Sequence, residues 1–379
     1  MLFRDRARFL GILMGVTLAS LVMTQQGSIF VGIMYRASSL IIDIPSADIW
    51  VMDPKVRYIE DQKPLQSTKL PIVRGVSGIE WAMPLYKGQI KARLDNGLVQ
   101  NCVMLGVDDS TLVGAPGELA LGSAGDLRSA DAVLVDEVAA SGRLAKPPSV
   151  PGGRPTPLAI GDILELNDHR AIVVGIARMT RSFQNQPTII TTMSRATTMA
   201  PPERRNLSYI LVKAKSGIDP KQLSRDIAAQ TGLAAYTASE FQWMTVDYFL
   251  RYTGIPINFG LSVALGFLVG TVITGFMFYN FTLDNLRYFA TFKAMGATDG
   301  HLMRMILVQS VMVAVLGYGV GVGLTGLFGL STQNAAIAFY LTWQLLAVAA
   351  CAIVSICMMA AMLSLRRVIT LEPGVVFKG

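Results

Sequence analysis

The chain has 379 residues, 52% of them hydrophobic and only 16% charged, with a formal net charge of +7. A soluble domain usually carries about 25% charged residues, so this composition excludes an ordinary soluble globule, and its apolar content excludes a disordered chain. With 35 Gly and 17 Pro residues it is not a low-complexity chain either.

The charge deficit is local. Residues 1–8 hold Arg4, Arg6 and Arg8, and residues 9–35 then carry no charge at all. That run exceeds the roughly 20 apolar residues a membrane-spanning helix needs. A cleaved signal peptide has a shorter apolar core, about 7–15 residues, and a small-residue cleavage site. The run here continues past Gln25-Gln26, so 9–35 reads as a retained first transmembrane helix.

Block 36–251 is nearly balanced, with 24 basic and 22 acidic residues. It reads as mixed α/β, enough for one large or two small domains. Strand-like runs cover 48–52, 99–107, 132–135, 163–166, 171–176, 188–192 and 209–213. Asp108-Asp109 before Ser110 reads as a solvated turn rather than a cation site. Segment 146–157 holds five prolines and two glycines and predicts an irregular surface insertion. Asn167-Asp168-His169-Arg170 predicts a hairpin turn. Pro220 opens a helix with Leu223 and Ile227 one turn apart and Gly232 as its stop signal. Thr237-Ala238-Ser239-Glu240 has capping-box spacing and starts a second helix. That helix is expected to run through 241–252 directly into the next span, bringing Trp243, Tyr248 and Tyr252 to the membrane surface, where aromatic rings favour the interface.

Residues 252–283 form the second apolar span, and 284–304 is a short connection carrying Arg287, Lys293 and Arg304. Residues 305–365 are then 61 positions without charge. A single helix of that length would be about 90 Å long, so the run holds two spans. The polar patch Ser331-Thr332-Gln333-Asn334 divides it into a third helix at 305–330 and a fourth at 335–365. The tail 366–379 follows with Arg366, Arg367 and Lys378.

The expected fold is an α-helical membrane protein with four transmembrane helices and a mixed α/β extracytoplasmic domain inserted between helices 1 and 2. Segments 1–8, 284–304 and 366–379 together hold nine basic and four acidic residues. Short Lys- and Arg-rich segments stay in the cytoplasm. These three are therefore assigned inside and block 36–251 outside. The basic balance reflects topology, and no nucleic-acid partner is expected.

No G-x-x-x-x-G-K-[ST] run occurs, and Lys215-Ser216 lacks the glycine a phosphate cradle needs. The two histidines, His169 and His301, fall on opposite sides of the membrane. Cys102 stands alone, and Cys351 and Cys357 are six apart, so the cysteines read as small packing residues. The reading is therefore of a chain with no catalytic residue, cofactor or metal of its own, not an enzyme. The spans lack Asp, Glu, Lys and Arg, which disfavours a lone ion-coupled carrier. They do contain glycines four apart: Gly11 and Gly15, Gly266 and Gly270, Gly317 and Gly321, Gly319 and Gly323. This spacing permits close helix approach, as packing inside one subunit or as a dimer seam.

In the connection 284–304, Gly296 can end the helix leaving the second span, and Thr298 or Asp299 can cap the next. The result is a helical elbow presenting Ala294, Met295 and Ala297, flanked by Lys293, His301 and Arg304. Spacing alone makes it an ordinary solvated loop.

One span, a large exported domain and three further spans resemble the MacB/FtsX-type permeases of ABC transporters. The stretch from Asp284 to Thr298, with Thr291-Phe292-Lys293-Ala294-Met295-Gly296 at its centre, is similar to that family's "eyaTLKAMG" segment, closest in the DevC-like branch. The tail from Arg366 to Pro373, and the runs Met83-Pro84-Leu85-Tyr86 and Phe183-Gln184-Asn185-Gln186-Pro187, are similar to family segments as well. The departures are segment 146–157 and Phe292, where the family usually has leucine. The resemblance implies a non-ATPase permease subunit of an exporter in the bacterial inner membrane, its large domain in the periplasm. A cytoplasmic ABC ATPase holding ATP and Mg would dock on Lys293, Ala294, Met295, Gly296, Ala297, Thr298, His301 and Arg304. Gly266, Gly270, Gly317 and Gly321 would serve helix packing or a dimer with a second permease copy. A periplasmic adaptor and an outer-membrane exit duct accompany MacB-like and DevC-like members. The family also contains FtsX-like regulators of wall hydrolases and Lol-type lipoprotein-releasing permeases, which stay as alternatives.

Overall fold

The computed structural model describes residues 6–94, 96–148, 153–201, 205–332 and 337–369. The expected chain ends at 1–5 and 370–379, the centre of the proline-rich segment, and Gln333 and Asn334 of the expected turn lie outside these residues. The chain forms two compact units, Met34–Tyr252 and Met1–Ile33 with Thr253–Gly379.

Helices α1 (Arg6–Ala37) and α2 (Ser39–Asp43) precede β1 (Ile49–Met52), α3 (Lys69–Arg74) and the long β2 (Ile79–Arg93). Next come β3 (Val99–Val107), β4 (Leu119–Leu121), β5 (Ala132–Asp136), α4 (Glu137–Ser141), β6 (Ile163–Leu166) and β7 (His169–Ala177). They are followed by β8 (Thr188–Thr192), α5 (Met193–Met199), β9 (Tyr209–Ala214), α6 (Pro220–Thr231), β10 (Ala234–Thr237) and α7 (Ala238–Tyr252). The last four helices are α8 (Ile255–Asp284), α9 (Leu286–Ala294), α10 (Asp299–Ser331) and α11 (Trp343–Ile369).

The first unit is a mixed sheet with the order β10-β1-β9-β2-β3-β8-β5-β7-β4, and β6 pairs with both β2 and β7. β2 joins its two halves: Ile79–Leu85 pairs with β9, and Tyr86–Arg93 pairs with β3. Strands buried on both faces read as unbroken apolar runs. In β9, Tyr209 and Leu211 enter one core cluster while Ile210 and Val212 enter another on the opposite face. Trp50 packs edge-on against Tyr209 at 5.5 Å and tilted against Phe241 at 5.8 Å. Such ring pairs add about 0.5–1.5 kcal/mol beyond burial.

Strands β3, β6 and β8 have the bounds the sequence predicts. The hairpin turn is shorter than expected. Asn167 and Asp168 alone form it, with φ of 46° and 64°, and His169 and Arg170 already belong to β7. Two positive φ values define the tight turn that matches strand twist. β2 has no counterpart in the sequence reading, because Lys87, Gln89 and Lys91 disguise it. Within the proline-rich segment, Lys146 and Thr156 exchange two backbone hydrogen bonds of 2.8 and 3.1 Å.

The caps form as the spacing predicts. The Asp219 side chain accepts from the Lys221 N–H, Pro220 opens α6, and Gly232 ends it at φ 68°. Thr237 Oγ1 accepts from the Glu240 N–H at 3.3 Å, and the Thr237 N–H donates to Glu240 Oε2 at 3.0 Å. The expected continuous helix from 238 into the second span does not form. α7 stops at Tyr252 and α8 begins at Ile255. Pro256 lacks an N–H and opens a new helix better than it continues one.

Among the described residues, four helices are long and apolar enough to cross a membrane: Phe9–Ala37, Ile255–Asp284, Asp299–Ser331 and Trp343–Ser364. The third begins earlier than the expected 305. The fourth begins at Trp343 rather than 335, capped by Thr342, whose Oγ1 accepts from the Leu345 N–H at 3.4 Å. Residues 337–342 are not helical, and the Tyr340 N–H donates to the Ser28 carbonyl at 3.0 Å.

Gly266, Gly270, Gly317 and Gly321 all face α1 of the same chain. A Cβ on them would meet Val22, Ala19, Val16 and Ser20 respectively. Gly11 and Gly15 of α1 lie against Met277 and Ile273 of α8. Gly319 and Gly323 meet nothing within 4 Å. Between α1 and α10, the hydroxyls of Thr24 and Thr325 lie 2.7 Å apart, fully buried.

Candidate functional site

The connection between α8 and α10 is a built structure rather than a loose loop. α8 ends at Asp284, where Asn285 turns its Nδ2 back to donate to the Phe281 carbonyl at 2.8 Å. Asn285 then precedes a separate helix, α9. The helix that Gly296 terminates is therefore α9, and the expectation that Gly296 ends the same helix that leaves the second span is corrected by this break.

α9 is amphipathic. Phe289 and Ala290 are buried, and Phe289 packs in a cluster with Leu302 and Ile306 of α10 and Ala361 of α11. At its end the Gly296 N–H donates to the Lys293 carbonyl at 3.1 Å, and the Ala297 N–H donates to the Phe292 carbonyl at 3.0 Å. This crossed pair is the Schellman arrangement. It needs a left-handed residue, and Gly296 supplies it with φ 95°. Phe292 and Ala297 close the motif by packing together against the same cluster.

Thr298 is extended at the N-cap of α10, but its side chain makes no capping bond. Its carbonyl accepts from the N–H groups of His301 and Leu302. Asp299 occupies the first turn, where a carboxylate complements the helix dipole. It also reaches back across the turn to Lys293, with Nζ 3.1 Å from Oδ1. The core cluster, the Schellman motif and this ion pair hold the elbow in one geometry.

Of the eight residues the sequence singles out, Met295, Gly296, Ala297, Thr298 and His301 line a shallow concavity of about 430 Å³. Met295 is the most prominent apolar side chain, 69% exposed. Ala294 and Arg304 are exposed beside it, and Lys293 is engaged with Asp299. Ala297 was expected at the tip but is half-buried against the cluster, because the Schellman motif turns it inward. The reading missed Phe292 and Met305, which complete the lining. The three-residue spacing of Phe289 and Phe292 was the available signal.

The family model described as MacB-like periplasmic core domain matches residues 9–230, and that described as FtsX-like permease C-terminal matches residues 260–373. Uncharacterized ABC transporter permeases from two strains of Mycobacterium tuberculosis, CDC 1551 and H37Rv, are each 26% identical over 245 residues. The matched part is 64% of this chain and 62% of theirs, so the match spans less than two thirds of the relatives' length. Among solved structures, the extracellular domain of the noncanonic ABC-type transporter YknZ from Gram-positive bacteria aligns with TM-score 0.34 and 12% identity, covering 50% of this chain and 98% of that one. The periplasmic region of MacB from Actinobacillus actinomycetemcomitans aligns with TM-score 0.37 and 14% identity, covering 56% of this chain and 96% of that one.

Proposed function

The chain belongs to the MacB/FtsX-type permeases of ABC transporters, and from that premise we propose that it couples ATP hydrolysis on a separate cytoplasmic ATPase to movement of its α/β domain. The work done is efflux or envelope transport across the bacterial inner membrane, with the α/β domain in the periplasm. The observation that carries this reading is the stapled elbow between α8 and α10, with Ala294 and Met295 exposed beside a concavity. A rigid elbow pushed by a partner moves the helices it joins. Both α8 and α10 are locked onto α1 through glycine contacts, so the three shift together.

The finer reading is a DevC-like exporter subunit. Two permease copies form the membrane core, and a periplasmic adaptor and outer-membrane duct complete the path. ATP and Mg belong to the ATPase, and this chain performs no hydrolysis itself.

The test is purification in lipid nanodiscs with and without cross-linked partners. The pure chain should hydrolyse no ATP, and hydrolysis should appear when an ATPase subunit co-isolates. Robust hydrolysis by the verified pure chain, or no ATPase in any cross-linked complex, overturns the reading.

A further inference from the structure

A cleft of about 510 Å³ in the α/β unit plays no part in the coupling path. β2 lines it together with the loop after β1 and the segment before β9. Its charges are paired with each other. Lys87, only 4% exposed, sets its Nζ 2.5 Å from Glu60 Oε2 and donates to the Ile59 carbonyl at 3.3 Å. Lys63 pairs with Asp61 at 2.9 Å. The main chain of β2 is closed at Lys87 too. Its N–H donates to Ser208 Oγ at 2.9 Å, and that hydroxyl donates to the Lys87 carbonyl at 3.0 Å.

What stays open is a set of side-chain amides. Gln62, Gln89, Gln184 and Asn206 line the cleft from four separate stretches of chain. None has a side-chain hydrogen-bond partner among the described residues. Each offers two N–H donors and a carbonyl acceptor. Tyr58 forms a further wall, fixed by stacking on Tyr248 at 4.1 Å. Two segments that stand out in the sequence meet here, contributing Tyr86 and Gln184.

The geometry points to a binding site for a neutral, polyhydroxylated ligand, an oligosaccharide of two or three sugar units. An ionic ligand finds no unpaired counter-charge in the cleft. An extended peptide finds the strand edge at Lys87 already occupied, and strand addition needs that edge. A lipophilic molecule meets amides where such sites are mostly apolar. A hydroxyl, both donor and acceptor, matches a side-chain amide in either orientation. The volume suits small-ligand sites, which run about 300–1,000 Å³. The site is independent of the coupling reading and stands or falls separately.

The test uses the full chain in lipid nanodiscs, free of glycoside detergents. Maltotriose, cellotriose and triacetylchitotriose are titrated by calorimetry and saturation-transfer NMR, with a capped tetra-alanine peptide as the comparison. At least one trisaccharide should bind saturably. Gln89→Ala and Asn206→Ala should each weaken it about 5–10-fold, the loss of one or two hydrogen bonds, with melting unchanged. Three outcomes overturn the assignment: no saturable binding of any trisaccharide, binding undiminished in both variants, or the peptide bound where the sugars are not.

Discussion

Gly321 of α10 lies so close to Ser20 of α1 that a methyl group on the glycine would stand 2.5 Å from the serine Cβ. Two residues away, Gly319 faces open space on the other side of the same helix. Overpacking a tight site costs about 1–3 kcal/mol. Gly321→Leu should therefore lower the melting temperature of the nanodisc-embedded protein markedly. Gly319→Leu should leave it unchanged or slightly raised, since leucine is the better helix former. Equal shifts in the two variants would contradict the packing described for α1.

The elbow makes a second contrast available. Ala294 is exposed, so Ala294→Asp should leave folding intact while placing a charge in the docking face. A buried unpaired charge or a clash of this kind costs on the order of 1–3 kcal/mol, or about 5–150-fold in affinity for the ATPase. Gly296→Trp adds backbone strain, because φ 95° is costly for any other residue. Co-purification of the ATPase with each variant is the measurement, and wild-type recovery with both would move the docking face elsewhere.

Asp136 gives the α/β unit a pH dependence. Burial, opposed by the hydrogen bond from the Val138 N–H, pushes its carboxyl up to about 6 from the ordinary 3.8. Between those values the folded chain holds the proton more tightly than the unfolded chain. Its contribution to stability is therefore greatest below about pH 4 and falls as pH rises through about 6, by up to about 3 kcal/mol. Asp136→Asn keeps an oxygen to cap α4 and removes the charge. Its melting temperature should exceed wild type near pH 7.5 and converge with it near pH 4. A gap that is the same at both pH values would refute the linkage.

The side assignment is checked by cysteine labelling. Ser123, Ser216 and Thr298 are all exposed, so accessibility to reagent depends on the membrane alone. Cysteines at Ser123 and Ser216 should react with a membrane-impermeant thiol reagent in spheroplasts, and one at Thr298 should not. Labelling of Thr298 alone would invert the topology.

What the sequence made legible is what depends on local spacing. Charge-free runs marked the spans, and Pro220, Gly232 and the Thr237–Glu240 box marked helix ends because each cap bonds within a few residues. β2 escaped because its central lysine is neutralised by Glu60, a partner 27 positions upstream that no periodicity reveals. Residues 337–342 are as apolar as a span and became part of one. They lie instead against α1 and α10, with the Tyr340 N–H bonded to the Ser28 carbonyl and the Phe339 ring 6.1 Å from that of Phe328. In the elbow, Gly296 and the cap position at Thr298 were readable. The break at Asn285 was not, because a side chain that bonds its own helix carbonyl looks like any other asparagine.

Thr237 is at once the last residue of β10, paired with Ile49, and the cap of α7. Strand and helix thus share a residue, and no spacer lies between them. One inserted residue would rotate α7 by about 100° and advance it about 1.5 Å. That would carry Phe241 away from Trp50 and Thr245 away from the Ile59 N–H, which its hydroxyl now receives at 3.2 Å. The junction is a weld between sheet and helix. A one-residue change at this point alters the direction in which the chain leaves the sheet.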